Sequence, residues 1–307
     1  MLASTFISGK ARAAAGATLL LIALSFSCSA ARRLIEQDPF YESFYEKTRL
    51  IMTSEETQIY KHLADREARE EFIEEFWQKR DPIPDTPENE ARVEFDRRIA
   101  YANRWFKENR PAGRGWETPR GRIFIQLGEP DNRYLNEMLN DPDIKGFERW
   151  IYYEYQLELI FVDSGGFGEF KLRNWPPGLL AAIDRAKFAL NPDAGGASGR
   201  LLAFQAGYRD GRITIAIPLK KIRFSEKEGA IHADFRVTVF AYRDYARVGS
   251  RAFDQRLQYP KESLPAEKVV EFTLPYPLER RGKYFLDIIL EDVLTGSRSR
   301  DFTSFTL

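Results

Sequence analysis

"GRGWETPRGRIFIQLGEPD" occupies residues 113–131, between a helical pattern and a strand-like one. Three glycines, Gly113, Gly115 and Gly121, lead into a short apolar alternation at Ile123, Ile125 and Leu127. Period-two alternation is the mark of a half-buried strand, so "RIFIQL" is expected to enter a sheet and to end in a turn at Glu129, Pro130 and Asp131. The glycines do not make a nucleotide cradle, because the loop follows a helical pattern instead of a strand and lacks a lysine-serine ending. Arg114, Arg120 and Arg122 offer guanidinium groups to an anion, yet arginine equally orders loops through carbonyls and carboxylates. Trp116 is expected to anchor the loop, with Gly113, Gly115 and Gly121 permitting close backbone approach or positive φ.

Upstream, the pattern is helical. Thr53 and Glu56 have capping-box spacing, and Ile59, Leu63, Phe72 and Phe76 form an interrupted apolar face that should end near "KRDPIPDTP". Thr86 reads as the next N-cap with Pro87 at the first helical position, followed by Phe95, Ile99, Ala102 and Phe106. Downstream, "ERWIYYEYQLELIFVDSGGFGEF" contains two or three strands, with "DSGG" as turn chemistry and aromatics on both faces of the first strand. Helices over 55–109 would cover one face of this small antiparallel sheet and make an α+β module. A proline-rich segment with a short helix follows. Beyond residue 201, "LAFQAGYR", "GRITIAIPL", "IHADFRVTVFAYR", "RVGSRAFDQRL", "KVVEFTLPY", "GKYFLDIILEDV" and "RSRDFTSFTL" predict seven strands and an all-β, immunoglobulin-like sandwich.

The expected organisation is therefore an export signal over 1–28, a tether over 29–52, the α+β domain over 53–175, a linker over 176–200 and the sandwich over 201–307. Lys10 and Arg12 precede the apolar run "AAAGATLLLIALSF", which is shorter than the roughly 20 residues of a membrane-spanning helix. Cys28, the single cysteine, closes that run and resembles the lipid-attachment residue of a bacterial lipoprotein, although Ser25 and Phe26 depart from the usual signal. Cleavage nearby, for instance after Ala30, and a retained anchor are the competing readings. Lipid attachment implies a cell-envelope protein held at a membrane and facing the periplasm or the cell surface.

The chemistry offered by the chain is sparse. Lysine plus arginine and aspartate plus glutamate both number 46, which gives no footprint for nucleic acid. His62 and His232 are the two histidines, each inside a regular element, and with one cysteine they cannot complete a zinc site. No cofactor or metal is expected. Paired carboxylates are the catalytic option that abundance permits: Asp81, Asp85, Glu117, Glu129, Asp131 and Asp163 all fall in loops or turns, and Asp81 and Asp131 are the candidates for an acid pair acting on a glycan.

One ordered combination is more specific than any of its members. Phe76-Trp77, Arg80-Asp81-Pro82, Thr86-Pro87, Asn89-Glu90, Phe95, Arg98, Gly115-Trp116, Thr118, Arg120-Gly121-Arg122, Ile123, Gly128 and Pro130-Asp131 together resemble the GWxTD-domain proteins, a bacterial family. The resemblance covers about residues 55–175, and Pro119 stands where the family name calls for aspartate. It implies an exported module and supplies no reaction. From the residues, Arg80, Gly115, Trp116, Arg120 and Arg122 are expected to form a clasp between helices and sheet, with Arg80 and Asp81 pairing across the bend. The expected function is a non-catalytic envelope lipoprotein mediating protein or glycan interaction. A carboxylate-dependent envelope hydrolase acting on a glycan is the alternative.

Overall fold

The computed structural model describes residues 38–63, 65–135, 143–188, 202–227, 229–260 and 268–307. The expected signal, Cys28, residues 29–37 of the tether and residues 189–200 of the linker lie outside the described residues. Residues 38–48 of the expected tether do not: α1 (Pro39–Thr48) is capped by Asp38 and buries Tyr41.

The capping box at Thr53 and Glu56 starts α2 (Ser54–His62), with the threonine hydroxyl accepting from the Glu56 N–H and the glutamate from the Thr53 N–H. The chain then breaks and restarts as α3 (Arg66–Gln78) on an Asp65 cap, so the single helix expected here is two. Asn89, not Thr86, caps α4 (Glu90–Trp105). Its amide oxygen accepts from the Arg92 N–H, and its NH2 donates to the Trp77 carbonyl at the end of α3. The Thr86 hydroxyl is taken up in the turn before it, by the carbonyls of Ile83 and Glu88 and by the Glu90 carboxylate.

The decisive stretch folds differently from its alternation. Residues 115–117 make one turn of 3-10 helix, and "PRGRIFIQL" is α5 (Pro119–Leu127), not a strand. Thr118 caps it by accepting from the Gly121 N–H, Pro119 takes the first helical position where its missing N–H costs nothing, and Gly128 ends it. A buried helix surrounded on most sides needs no polar stripe. Ile123, Phe124, Ile125 and Leu127 are all buried, so the alternation carried no face information.

The first sheet follows, antiparallel in the order β1 (Asn132–Leu135), β2 (Gly146–Tyr152), β3 (Leu157–Asp163), β4 (Lys171–Leu172). Trp150 and Tyr152 of β2 are buried under the helices; on the other face Phe147 is buried, Ile151 is half-buried and Tyr153, just beyond the strand, is exposed. Rings form the contact layer: Phe106 and Phe124 lie against Trp150, and Trp150 against Phe161. The expected turn at Asp163 is present, its carboxylate accepting from the N–H groups of Gly165, Gly166 and Gly168.

After α6 (Leu179–Phe188) come β5 (Gln205–Arg209), β6 (Arg212–Pro218), β7 (Ser225–Lys227), β8 (Ala230–Arg243), β9 (Ala246–Pro260), β10 (Val269–Pro275), β11 (Lys283–Asp292) and β12 (Arg298–Thr306). Each of the seven expected strands is found, with the short β7 in addition. A three-stranded sheet, β10-β6-β5, faces a five-stranded one, β12-β11-β8-β7 with β9 on β8. Ile213, Ile215 and Ile217 meet Val237, Val239, Leu286, Ile288 and Leu290 between them. The larger sheet is a curled half-barrel: its β12 edge reaches β5, where Tyr208 stacks on Phe305 at 4.2 Å and the Ala206 N–H donates to Asp301.

The opposite face of the five-stranded sheet is also covered. Phe240 and Tyr242 of β8 and Phe285 and Ile289 of β11 belong to the same core as Phe72, Phe76 and Trp116. The molecule is thus mixed α/β with largely antiparallel β content, and the strand-rich half shares a core with the helices.

Candidate functional site

Two constellations hold Arg80, Gly115, Trp116 and Arg120 of the residues singled out by sequence. The first lies where α4, the 3-10 turn and α5 cross. A Cβ on Gly115 would stand 2.1 Å from the Ala102 carbonyl oxygen of α4, and one on Gly121 would stand 2.1 Å from the Gly115 carbonyl oxygen. Three backbone segments therefore touch at distances that only glycine allows. Trp116 is buried beside them, and its N–H donates to the Asn103 amide oxygen. Arg98 reaches across from α4 to donate to the Ile125 carbonyl near the C-terminus of α5, the negative end of the helix dipole. The Tyr152 hydroxyl donates to the Gly128 carbonyl and ties the end of α5 to β2.

Arg120 extends this contact into the sheet. Its Nε and Nη2 donate to Glu108 Oε1 at 3.1 and 3.0 Å, and its Nη1 donates to Glu148 Oε1 at 2.7 Å, while the guanidinium lies 3.8 Å from the Phe170 ring centre. Glu148 on β2 also accepts from Arg133 and from the indole N–H of Trp150. Burial raises the Glu108 carboxyl, and Arg120 opposes the rise. Arg122, one turn position further, is exposed.

The second constellation was not visible in advance. Arg80 does not pair with Asp81; it forks onto Glu56, Nη1 to Oε1 at 2.9 Å and Nη2 to Oε2 at 2.6 Å, and lies 3.7 Å over the Phe76 ring. Glu56 Oε1 also accepts from Arg300 of β12 at 2.7 Å. Arg300 in turn forks onto Asp287 of β11, at 2.7 and 2.6 Å, and Lys79 Nζ closes the group 2.9 Å from Asp287. Glu56, Lys79, Asp287 and Arg300 have side chains with no solvent exposure. The chain of bonds continues through the Tyr242 hydroxyl to Glu75, and from Glu75 to Arg247 and Glu71 at the rim.

Burial alone would raise the Glu56 carboxyl, but Arg300, Arg80 and Lys79 hold it well below the usual carboxylate range. Asp287 behaves alike: burial opposes ionisation, and Arg300 and Lys79 prevail. Burial and the neighbouring Glu75 push the Tyr242 hydroxyl well above its ordinary value. Acids held so firmly ionised do not donate protons near neutrality, and each is saturated by internal donors.

Asp81 and Asp131 do not share a site with these groups. Asp81 accepts from the Ile83 N–H in the turn after α3, and its carbonyl accepts from Arg298; partial burial lifts its carboxyl against that N–H. Asp131 is exposed and accepts from the Tyr153 N–H at 2.7 Å. His62 stacks on Tyr245, and His232 sits at the start of β8. Among the described residues, no three His, Cys, Asp or Glu side chains gather as a metal site, and no helix is long and apolar enough to cross a membrane.

The signal for the missed cluster was Asp287 itself, an acid inside the apolar run "FLDIIL", which needs a buried counter-charge. Its partners came from segments far away in sequence, and no local pattern names them.

A helical layer closes onto an antiparallel sheet through paired glycines and a buried arginine. Residues 36–163 match the GWxTD domain, and the chain carries a domain of that family. No curated protein matches the chain. Among solved structures it is similar to β-glucuronidase 2 of Bacteroides uniformis, at 12% identity over 34% of this chain and 12% of that one, TM-score 0.17. It is similar also to a superoxide reductase of Nanoarchaeum equitans, at 15% identity over 34% and 89%, TM-score 0.18, and to red sea bream transglutaminase, at 13% over 68% and 30%, TM-score 0.24. These scores carry no functional argument.

Proposed function

We propose that the chain is a non-catalytic cell-envelope protein, anchored through a lipid on Cys28, that mediates protein or glycan interaction. One observation carries the non-catalytic part: the charged signature residues that are buried, Arg80 and Arg120, are saturated by internal carboxylates, and the candidate acids Asp81 and Asp131 serve separate turns. Arg80, Gly115, Trp116 and Arg120 then act as a clasp holding helices to sheets. Arg122 is the one member of the group facing solvent. The basic and apolar leader ending in Cys28 supports export and anchoring. The strand order β10-β6-β5 against β9-β8-β11-β12 supports an immunoglobulin-like sandwich for 202–307, a scaffold that presents edges and loops to partners.

The test joins fatty-acid labelling with copurification from gently solubilised envelopes, comparing the native chain with Cys28→Ser at matched abundance. Label on the native form alone, with a specific protein or polymer retained, is the expected result. An unlabelled native chain removes the anchor. Glycan hydrolysis that disappears in Asp81→Asn or Asp131→Asn would replace the interaction role with the hydrolase alternative.

A further inference from the structure

We infer that a second copy of this chain pairs with β9, edge to edge, in one antiparallel register centred on Gln255. β9 is 15 residues long and, among the described residues, pairs only with β8. Most of its residues are exposed. The usual protections of an edge are a short strand, a proline, charged side chains (lysine above all), a bulge, or a covering helix or loop. β9 has its bulge near Val248, where Ala241 pairs with Gly249 and Tyr242 with Arg247, and Ser250–Tyr259 holds no proline, lysine or bulge, its charges being Arg251, Asp254 and Arg256. An open run of that length has unpaired N–H and carbonyl groups along one side, which a further strand satisfies.

The occupant follows from the charges. On one face of the β8-β9 pair, Arg236 opposes Asp254 and Asp234 opposes Arg256, joined at 3.2 and 2.6 Å. Placing Gln255 opposite the Gln255 of a second copy sets Asp254 against Arg256, and Arg256 against Asp254. Two rows of four strands result, Arg236, Asp254, Arg256, Asp234 and the reverse, with signs alternating at every step. On the other face the same register sets Phe253 against Leu257, and Arg251 against Tyr259. Antiparallel partners share a face, so the register can slip only by keeping residues of equal parity opposed. The neighbouring slips bring Asp254 onto Asp254, or Arg256 onto Arg256, and like charges directly opposed are destabilising. The strand is therefore complementary to itself in one register and not in those beside it.

The test uses the full-length chain in mild detergent, with mass measured across concentration. The native chain should run at twice the monomer mass, and Asp254→Arg alone or Arg256→Asp alone should weaken association about tenfold or more. Mixing the two variants should restore the dimer, because each arginine at 254 then meets an aspartate at 256, and the unchanged pair stays attractive. In a Cys28→Ser background, Gln255→Cys should oxidise to a disulfide dimer, since residue 255 opposes itself at antiparallel Cα spacing. Gln258→Cys, displaced from the axis, should not. A native chain that stays monomeric overturns the proposal and leaves the edge to another protein's strand. Failure of the mixed variants to reassociate, or equal disulfide formation at 255 and 258, overturns the register.

Discussion

Gly121 shows how one missing side chain sets the module. Its Cα faces the Gly115 carbonyl so closely that an alanine methyl must displace backbone, not a flexible side chain. Gly121→Ala is expected to lower unfolding free energy by about 3 kcal/mol or more, toward the upper end of overpacking costs, read from the urea midpoint. A change near zero would mean that the crossing of α4, the 3-10 turn and α5 is looser than these distances imply. Pro119 is accounted for at the same scale. It begins a helix, where proline's fixed φ is favourable, so losing the family aspartate leaves the turn itself intact.

At the scale of elements, the sequence was most legible where local chemistry decides. The Thr53 capping box, the Asp163 turn and seven strands of the C-terminal half all depend on neighbours within a few residues, and all are present. α5 was misread because its burial is set by segments that the local pattern does not contain: α4 on one side and β2 on another, so Ile123, Phe124 and Ile125 are buried together. The cap at Thr118 was the better local evidence, a threonine followed by proline. Its hydroxyl accepts from the Gly121 N–H and donates to the Gly115 carbonyl, so it serves both the helix start and the crossing. Thr118→Ala should cost about 1 to 2 kcal/mol, whereas Thr118→Ser, which keeps both bonds, should retain most of the native midpoint.

Across the whole molecule, the site residues hardest to read were those joining distant segments. Arg80 was marked by sequence, but its partner Glu56 lies 24 residues away, and Arg300, which shares that carboxylate, lies 244 residues from Glu56. The resulting cluster makes stability depend on acid pH with a definite sign. Glu56 and Asp287 have folded-state values below their unfolded ones, so their contribution is complete above the unfolded carboxylate range of about 4 and is lost as pH falls toward the depressed values. The urea midpoint should therefore fall steeply below about pH 4. Asp287→Asn should start lower at neutral pH and show a shallower acid slope; an unchanged slope would assign the acid sensitivity to other carboxylates.

The same cluster joins the helices and the strand-rich half into one cooperative body. All five tryptophans, Trp77, Trp105, Trp116, Trp150 and Trp175, precede residue 176, so their fluorescence arises in the N-terminal half. The most direct measurement is urea unfolding of the native chain and of Arg300→Met, followed by tryptophan fluorescence and by far-ultraviolet circular dichroism. Removing Arg300, which stands on β12, takes a cation from buried Glu56 and Asp287 and should cost about 3 to 5 kcal/mol. Both signals should move together to lower urea. A fluorescence transition that stays in place while the dichroism shifts would contradict this, because the two halves would then unfold independently.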